Sequence, residues 1–212
     1  MTFNIRLLDN LDYEEAEDLL DDYIDTLIEL FSQSPEGNAY AETTTEEIGG
    51  WIYNFLDYGY RYEELTPAKM NKTKVKLLME QLLPRKLTVL NKADADTAIP
   101  ELLAFWSFLE REYHLRSAKT IITYLRSIEN KFGNWLMDPA RAGMAKTFFL
   151  GGIEAGFDMT NQEGLDQFKE FYNAQLANKK PSDPPKTAKP TPKKNKGFKT
   201  WQASPSSSRK KK

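Results

Sequence analysis

The stretch FFLGGIEAGFDMTNQEG contains four glycines, and the spacing between Gly151 and Gly156 matches that of a phosphate-binding loop. Such a loop requires Lys and then Ser or Thr directly after the second glycine, but Phe157 and Asp158 follow here. The acid would repel phosphate, and a helical pattern rather than a strand precedes the glycines. The sequence therefore predicts no nucleotide site, and it predicts that Gly156 ends a helix in the left-handed conformation.

A second candidate site is the acidic stretch DYEEAEDLLDDYIDTLIEL near the N-terminus. Carboxylates hold di-metal centres in helical bundles, but those sites need inward glutamates and several histidines, and calcium loops need a central glycine. Here the acids lie opposite the apolar stripe, so the pattern favours a solvated face or a docking surface for a basic partner, the chain's own tail included. The residues predicted to bind the partner are Glu14, Asp18, Asp21 and Asp25.

The only histidine, His114, lies in EREYHLRSAK at a predicted helix end. A general base needs a nucleophile beside it, yet the chain has no cysteine and no Gly-x-Ser-x-Gly elbow. Zero cysteines also exclude disulfides and Cys-ligated zinc or iron–sulfur sites. We therefore expect no catalytic residues, no metal and no cofactor. A deep polar pocket around His114 would reverse the prediction that the chain is not an enzyme.

The C-terminal stretch NKKPSDPPKTAKPTPKKNKGFKTWQASPSSSRKKK carries 12 Lys and Arg and one acid between residues 179 and 212. Cations interleaved with aromatic residues can bind RNA or DNA through counterion release and stacking. A tail of this composition can also confer only solubility. The residues predicted to bind nucleic acid are Lys193, Lys194, Lys196, Lys199, Trp201, Arg209, Lys210, Lys211 and Lys212.

The net charge of −2 conceals a strong polarity along the chain. Residues 1–66 carry 17 Asp and Glu against 2 Arg, residues 67–178 are close to neutral, and residues 179–212 have a net charge of +11. Composition and charge predict a helical domain over residues 1–177, with an acidic part at 1–66, and a disordered Lys/Pro/Ser-rich tail over residues 178–212.

Apolar residues recur at helical spacing throughout the body, which predicts an all-α, bundle-like domain of about seven helices. Predicted start signals are Thr44 with Glu47, Asn71, Ser117, Asp138 followed by Pro139, and Thr160 with Glu163. The break SQSPEG is expected to separate the first two helices, Gly49 and Gly50 are expected inside the second, and Pro84 is expected to end the third. Strand-like patterns occur only over residues 3–7 and 85–90, and both are short.

The strings LLPRKL, ELLAFWSFLEREY and GMAKTFFLGGIEAGFDMTNQEGL resemble those of a family of bacterial all-helical proteins without an assigned activity. These proteins often have a lysine-rich C-terminus, and some are similar to proteins with a C-terminal Cys-rich metal-binding motif. Because this chain lacks cysteine, no metal function carries over. The resemblance covers roughly residues 50–176, and it implies one helical domain.

The sequence shows no signal peptide and no apolar run of the ~20 residues that span a bilayer. We therefore expect a soluble, cytoplasmic protein. The favoured hypothesis is a non-enzymatic interaction protein whose basic tail contacts nucleic acid or a nucleoprotein. The alternative is a protein-binding adaptor that uses the acidic N-terminal helix and has a passive tail.

Overall fold

The computed structural model describes residues 3–178, in which every regular element is helical and no strand occurs. The prediction of an all-α fold is therefore confirmed for this part of the chain, and the short strand-like patterns do not form strands. The α-helices are α1 (Tyr13–Ser32), α2 (Pro35–Ala41), α3 (Gly50–Glu63), α4 (Lys72–Leu77), α5 (Leu83–Lys86), α6 (Ala98–Tyr113), α7 (Ala118–Met137), α8 (Met144–Glu154) and α9 (Gln162–Asn178).

The chain divides into two compact units, and the boundary between them follows Gln167. The first unit contains α1 to α8 and the start of α9, and it carries the core. The described part of the second unit is the remainder of α9, where the ring of Phe168 lies 6.2 Å from that of Phe171 and 6.0 Å from that of Tyr172. The predicted domain boundary between residues 177 and 178 stays a prediction. None of the described helices is both long enough and apolar enough to cross a membrane.

Helix α6 is the centre of the core and packs against α2, α3 and α7. Its apolar residues are buried on more than one side, which is why its sequence AIPELLAFWSFLEREY has few charges before its last turn. Aromatic rings fix its contacts edge to face: Phe105 meets Phe31 of α1, and Trp106 meets Phe55 of α3. Such pairs add about 0.5–1.5 kcal/mol each beyond the area that they bury.

The segment before α1 is tied to the core by two buried tyrosines. The Tyr23 hydroxyl donates to the Ile5 carbonyl at 2.8 Å, and the Tyr60 hydroxyl lies 3.0 Å from the Leu8 carbonyl and 2.8 Å from the Leu11 carbonyl. Leu8 itself is fully buried. The N-terminal segment is therefore held in place on both sides of Arg6.

Helix α2 lies where the sequence predicts only a break. Ser34 and Pro35 belong to the predicted break SQSPEG, but they start a helix: the Ser34 hydroxyl accepts a hydrogen bond from the Gly37 N–H at 3.1 Å, and Pro35 occupies the first helical position. Proline is tolerated there because that N–H has no helical partner. This helix is one reason why the described residues form more helices than the seven predicted.

The predicted cap of α3 is wrong. Thr44 bonds to the nearby Glu46 N–H instead, and α3 begins at Gly50, so Gly49 lies before the helix rather than inside it. Gly49 has φ +109, and a Cβ added there would lie 2.6 Å from the Ile28 Cγ2 atom of α1. Glycine is required at this position because both the backbone conformation and the close approach exclude a side chain.

The prediction that Pro84 ends a helix is also wrong. Helix α4 continues through a π-helical turn, Leu78–Leu82, into α5, which contains Pro84. The Leu83 N–H donates to the Leu78 carbonyl, five residues back, so the wider turn takes up the disruption around a proline that has no N–H to donate.

The starts and ends of the C-terminal helices agree with the sequence prediction except at two positions. Asp138 and Pro139 start a short 3₁₀ turn rather than α8. Gly156 has φ +86, which confirms its predicted left-handed conformation. The Asn161 side chain, rather than that of Thr160, accepts the Gly164 N–H at 2.8 Å next to the start of α9, because Thr160 bonds to Asp158.

Candidate functional site

The exposed side of α1 is strongly acidic and carries the four residues that the sequence predicts as partner-binding. We call this surface the acidic face of α1. All of its carboxylates are exposed, and they lie opposite the buried apolar stripe. Its members are Glu14, Glu15, Glu17, Asp18, Asp21, Asp22, Asp25 and Glu29.

No Lys or Arg of the described residues forms an ion pair with any carboxylate of this face. Local hydrogen bonds engage some members: Asp21 accepts from the Tyr53 hydroxyl at 2.9 Å, and Glu15 completes the capping box of α1. Within residues 3–178 the side chains of Glu14, Asp18 and Asp25 make no hydrogen bond. The structure thus places the predicted residues together and leaves most of them uncompensated.

One exposed apolar side chain lies within this charged surface. Leu19 is 44% exposed, directly after Asp18 and three residues before Asp22. A partner that covers the acidic face could therefore bury apolar area as well as satisfy charge.

The cations and Trp201 that the sequence predicts to bind nucleic acid, from Lys193 to Lys212, lie outside the described residues. Their role stays a prediction.

The near match to a phosphate-binding loop, Gly151 to Gly156, lies at the end of α8. There the Phe157 N–H donates to the Gly152 carbonyl and the Gly156 N–H donates to the Ile153 carbonyl, each at 3.0 Å. These bonds form a Schellman cap at the end of α8, so both N–H groups are already used within the chain.

A buried carboxylate caps α3 from another helix, and no local sequence pattern predicts this contact. Glu101 of α6 is 1% exposed, and its Oε1 atom accepts the backbone N–H groups of Gly49, Trp51 and Ile52 at 3.2, 3.1 and 3.0 Å. Burial raises the pKa of Glu101, while the three N–H groups act in the opposite direction. Glu101 therefore caps the start of α3, which is the role that the sequence predicts for Thr44.

A buried lysine fixes α8 in a similar way. Lys146 is 4% exposed, and its Nζ donates to the carbonyls of Leu136 at 2.6 Å and Pro84 at 3.1 Å. Burial lowers the pKa of Lys146 below its ordinary value. The only sequence signal was a lone lysine in the apolar helix MAKTFFLGGIE. Both buried charges join elements that are distant in the sequence.

A cleft of about 540 Å³ lies beside the cap of α3, with the side chains of Glu46, Glu47, Asp94 and Trp51 in its walls. The Asp94 carboxylate already accepts hydrogen bonds within the protein, from the backbone N–H groups of Leu90 and Asn91. Among residues 3–178, no group of three or more His, Cys, Asp or Glu side chains is placed to hold a metal ion.

His114 ends α6 in the left-handed conformation, with φ +52, and its side chain is exposed. It lines an open cleft together with Ser117, but no hydrogen bond joins the two side chains. The cleft therefore lacks a paired nucleophile and base in the arrangement that acyl transfer requires.

No family model matches this chain, and comparison with curated proteins and with solved structures also finds no match. The resemblance to bacterial all-helical proteins stays a prediction.

Proposed function

We propose that this chain is a non-enzymatic interaction protein, and that the acidic face of α1 docks a basic segment of a partner protein. The observation that supports this most strongly is that, within the described residues, no Lys or Arg forms an ion pair with a carboxylate of that face. Like charges three or four residues apart each destabilise a helix by about 0.2–0.5 kcal/mol. Repulsion among these carboxylates lowers the stability of α1 in the isolated protein, and a bound cationic partner would remove this repulsion.

The spacing of the predicted residues fits an elongated partner. Glu14, Asp18, Asp21 and Asp25 follow each other at intervals of three or four residues along one side of α1. From first to last they extend over about 16 Å, at roughly 1.5 Å per helical residue. A Lys- or Arg-rich segment could pair with them in series, and an apolar residue in that segment could cover Leu19. Such a surface repels nucleic acid, whose phosphates are also negative.

Binding of nucleic acid by the basic tail is the second candidate function. It rests on the 12 cations between residues 179 and 212 and on the two aromatic residues Phe198 and Trp201. This mode predicts binding that depends little on sequence and weakens steeply with salt. The two candidates use different parts of the chain and can be separated by one set of variants.

The test is affinity capture from the source cell with the full-length protein, with and without nuclease treatment. A charge-reversal variant replaces Glu14, Asp18, Asp21 and Asp25 by Lys. A matched control makes the same change at four exposed acids outside α1 that form no ion pair with described residues: Glu42, Asp96, Glu129 and Glu154. A third variant lacks residues 179–212.

We expect a protein partner that survives nuclease treatment, is lost with the α1 reversal, and is kept by both the control reversal and the tail deletion. Loss on tail deletion and on nuclease treatment, with retention by the α1 reversal, would instead support the nucleic-acid function. Equal loss with both reversals would show that only net charge matters, which contradicts a docking face.

A further inference from the structure

A cleft of about 500 Å³ separates the N-terminal segment from the loop that joins α6 to α7. Its polar side chains are Arg6, Tyr113, His114, Arg116 and Ser117, and its apolar walls include Ile5 and Leu115. It lies entirely within the first unit of the chain, and it is separate from the acidic face of α1.

The charge of this cleft is opposite to that of the acidic N-terminal part of the chain, residues 1–66. No Asp or Glu lines it, although residues 1–66 have only two cations against 17 acids. One of those two cations, Arg6, is in the cleft. It also pairs with Asp9 at 2.9 Å through one nitrogen of its guanidinium group. The group has five N–H donors, so most of its donors stay available.

Arg116 is the least engaged cation of the cleft. Its side chain is exposed, and it makes no ion pair or hydrogen bond with any described residue. The Ser117 hydroxyl makes no capping bond at the start of α7. These groups, with the imidazole of His114, supply hydrogen-bond donors around one open volume.

The backbone beneath these side chains is firmly held. Ile5 and Leu8 flank Arg6, and their carbonyls accept the hydroxyls of the buried tyrosines Tyr23 and Tyr60. On the other wall, the neighbours of Arg116 in the core are Leu115, which is 9% exposed, and the fully buried Ala118. The cleft is therefore largely formed before any ligand enters, which reduces the entropy lost on binding.

We propose that this cleft binds a small molecule with a phosphate-monoester head and an apolar body. Guanidinium groups match the geometry of phosphate oxygens with paired N–H donors, and two of them line this cleft together with the imidazole. A phosphate monoester carries close to two negative charges at pH 7, which suits two arginines better than a single carboxylate does. The walls formed by Ile5 and Leu115 would contact the apolar body. This site goes beyond the proposed docking function, since it uses other residues and the opposite charge.

The experiment records amide ¹H–¹⁵N spectra of the full-length protein during titration with phenyl phosphate. Inorganic phosphate, which lacks the apolar body, and phenol, which lacks the anion, are titrated in parallel. Three variants are compared with the wild type: Arg116→Gln, His114→Gly, and the control Arg126→Gln, an exposed arginine of α7 outside the cleft. Glycine suits position 114 because φ there is +52, so this variant removes the imidazole without backbone strain.

Phenyl phosphate should shift the amides around Arg6 and from His114 to Ser117, and it should bind more tightly than either inorganic phosphate or phenol. Arg116→Gln should weaken binding about tenfold, as expected for loss of a charge-assisted hydrogen bond. His114→Gly should weaken it by a smaller factor at unchanged thermal stability, and Arg126→Gln should leave it unchanged. Shifts located elsewhere, equal binding of phenol, or equal affinities for the Arg116 and Arg126 variants would each overturn the proposal.

Discussion

Replacing Glu101 by alanine should destabilise the protein more than any substitution of an exposed acid. The Oε1 atom of Glu101 accepts three backbone N–H groups at 3.0–3.2 Å, and two of the donors, Gly49 and Ile52, are buried. A buried polar group left without a partner costs about 1–3 kcal/mol. Water from the adjoining cleft can reach part of the site, so we expect a loss of about 3 kcal/mol rather than the full sum.

The measurement is chemical and thermal unfolding of Glu101→Ala beside two comparison variants. For a chain of this size, ~3 kcal/mol corresponds to a decrease in Tm of about 6–12 °C. Glu101→Gln keeps an acceptor oxygen and should lose only about 1–2 kcal/mol. Glu112→Ala, at an exposed ion pair on the same helix, should change stability by less than about 1 kcal/mol.

Hydrogen exchange provides an independent readout of the same contact. The amides of Trp51 and Ile52 should exchange faster in Glu101→Ala than in Glu112→Ala, because their acceptor is gone. A stabilising role of Glu101 as the cap of α3 is refuted if Glu101→Ala is as stable as Glu112→Ala, or if the exchange of these two amides does not change.

Two further predictions concern the glycines and the buried lysine. Gly156→Ala should lower the free energy of unfolding by about 1 kcal/mol, because φ is +86 but the surrounding space is open. Gly49→Ala should lower it by about 2–3 kcal/mol, because an added Cβ would also lie 2.6 Å from the Ile28 side chain. Equal costs would contradict this reading of Gly49. Burial lowers the pKa of Lys146, so the unfolded chain binds that proton up to higher pH than the folded chain does. Stability relative to Lys146→Met should therefore rise as pH increases from the lowered pKa toward 10.5, and a difference that is independent of pH would contradict it.

Local signals were enough to predict the fold class and most of the helices. The apolar periodicity of α1, α6 and α7 is unbroken over four or more turns, so their buried faces could be derived from spacing alone. The left-handed Gly156 followed from its position after a helical pattern. The Ser34–Pro35 pair shows the limit of this reasoning, because the same two residues can follow one helix and start the next.

The contacts that organise the site could not be derived in this way, because they join distant residues. Glu101 lies about 50 positions from the N–H groups that it caps, and Lys146 lies 62 positions from Pro84. Nothing local distinguishes Glu101 from an ordinary acid in the first turn of a helix. The cleft at Arg116 likewise depends on Arg6, which the fold brings there from the N-terminal segment before α1. By contrast, the acidic face of α1 was predictable, because one helix contains all of it.

The proposed docking function is tested most directly by zero-length carbodiimide coupling of the captured complex, followed by mass spectrometry of the cross-linked peptides. This chemistry joins a carboxylate to a lysine amine only when the two are in contact. We predict cross-links from Glu14, Asp18 and Asp25 to lysines of the partner, and none from the matched control acids Glu42, Asp96, Glu129 and Glu154. A complex whose cross-links avoid α1, or involve only lysines of residues 179–212, would contradict docking of a basic partner on the acidic face of α1.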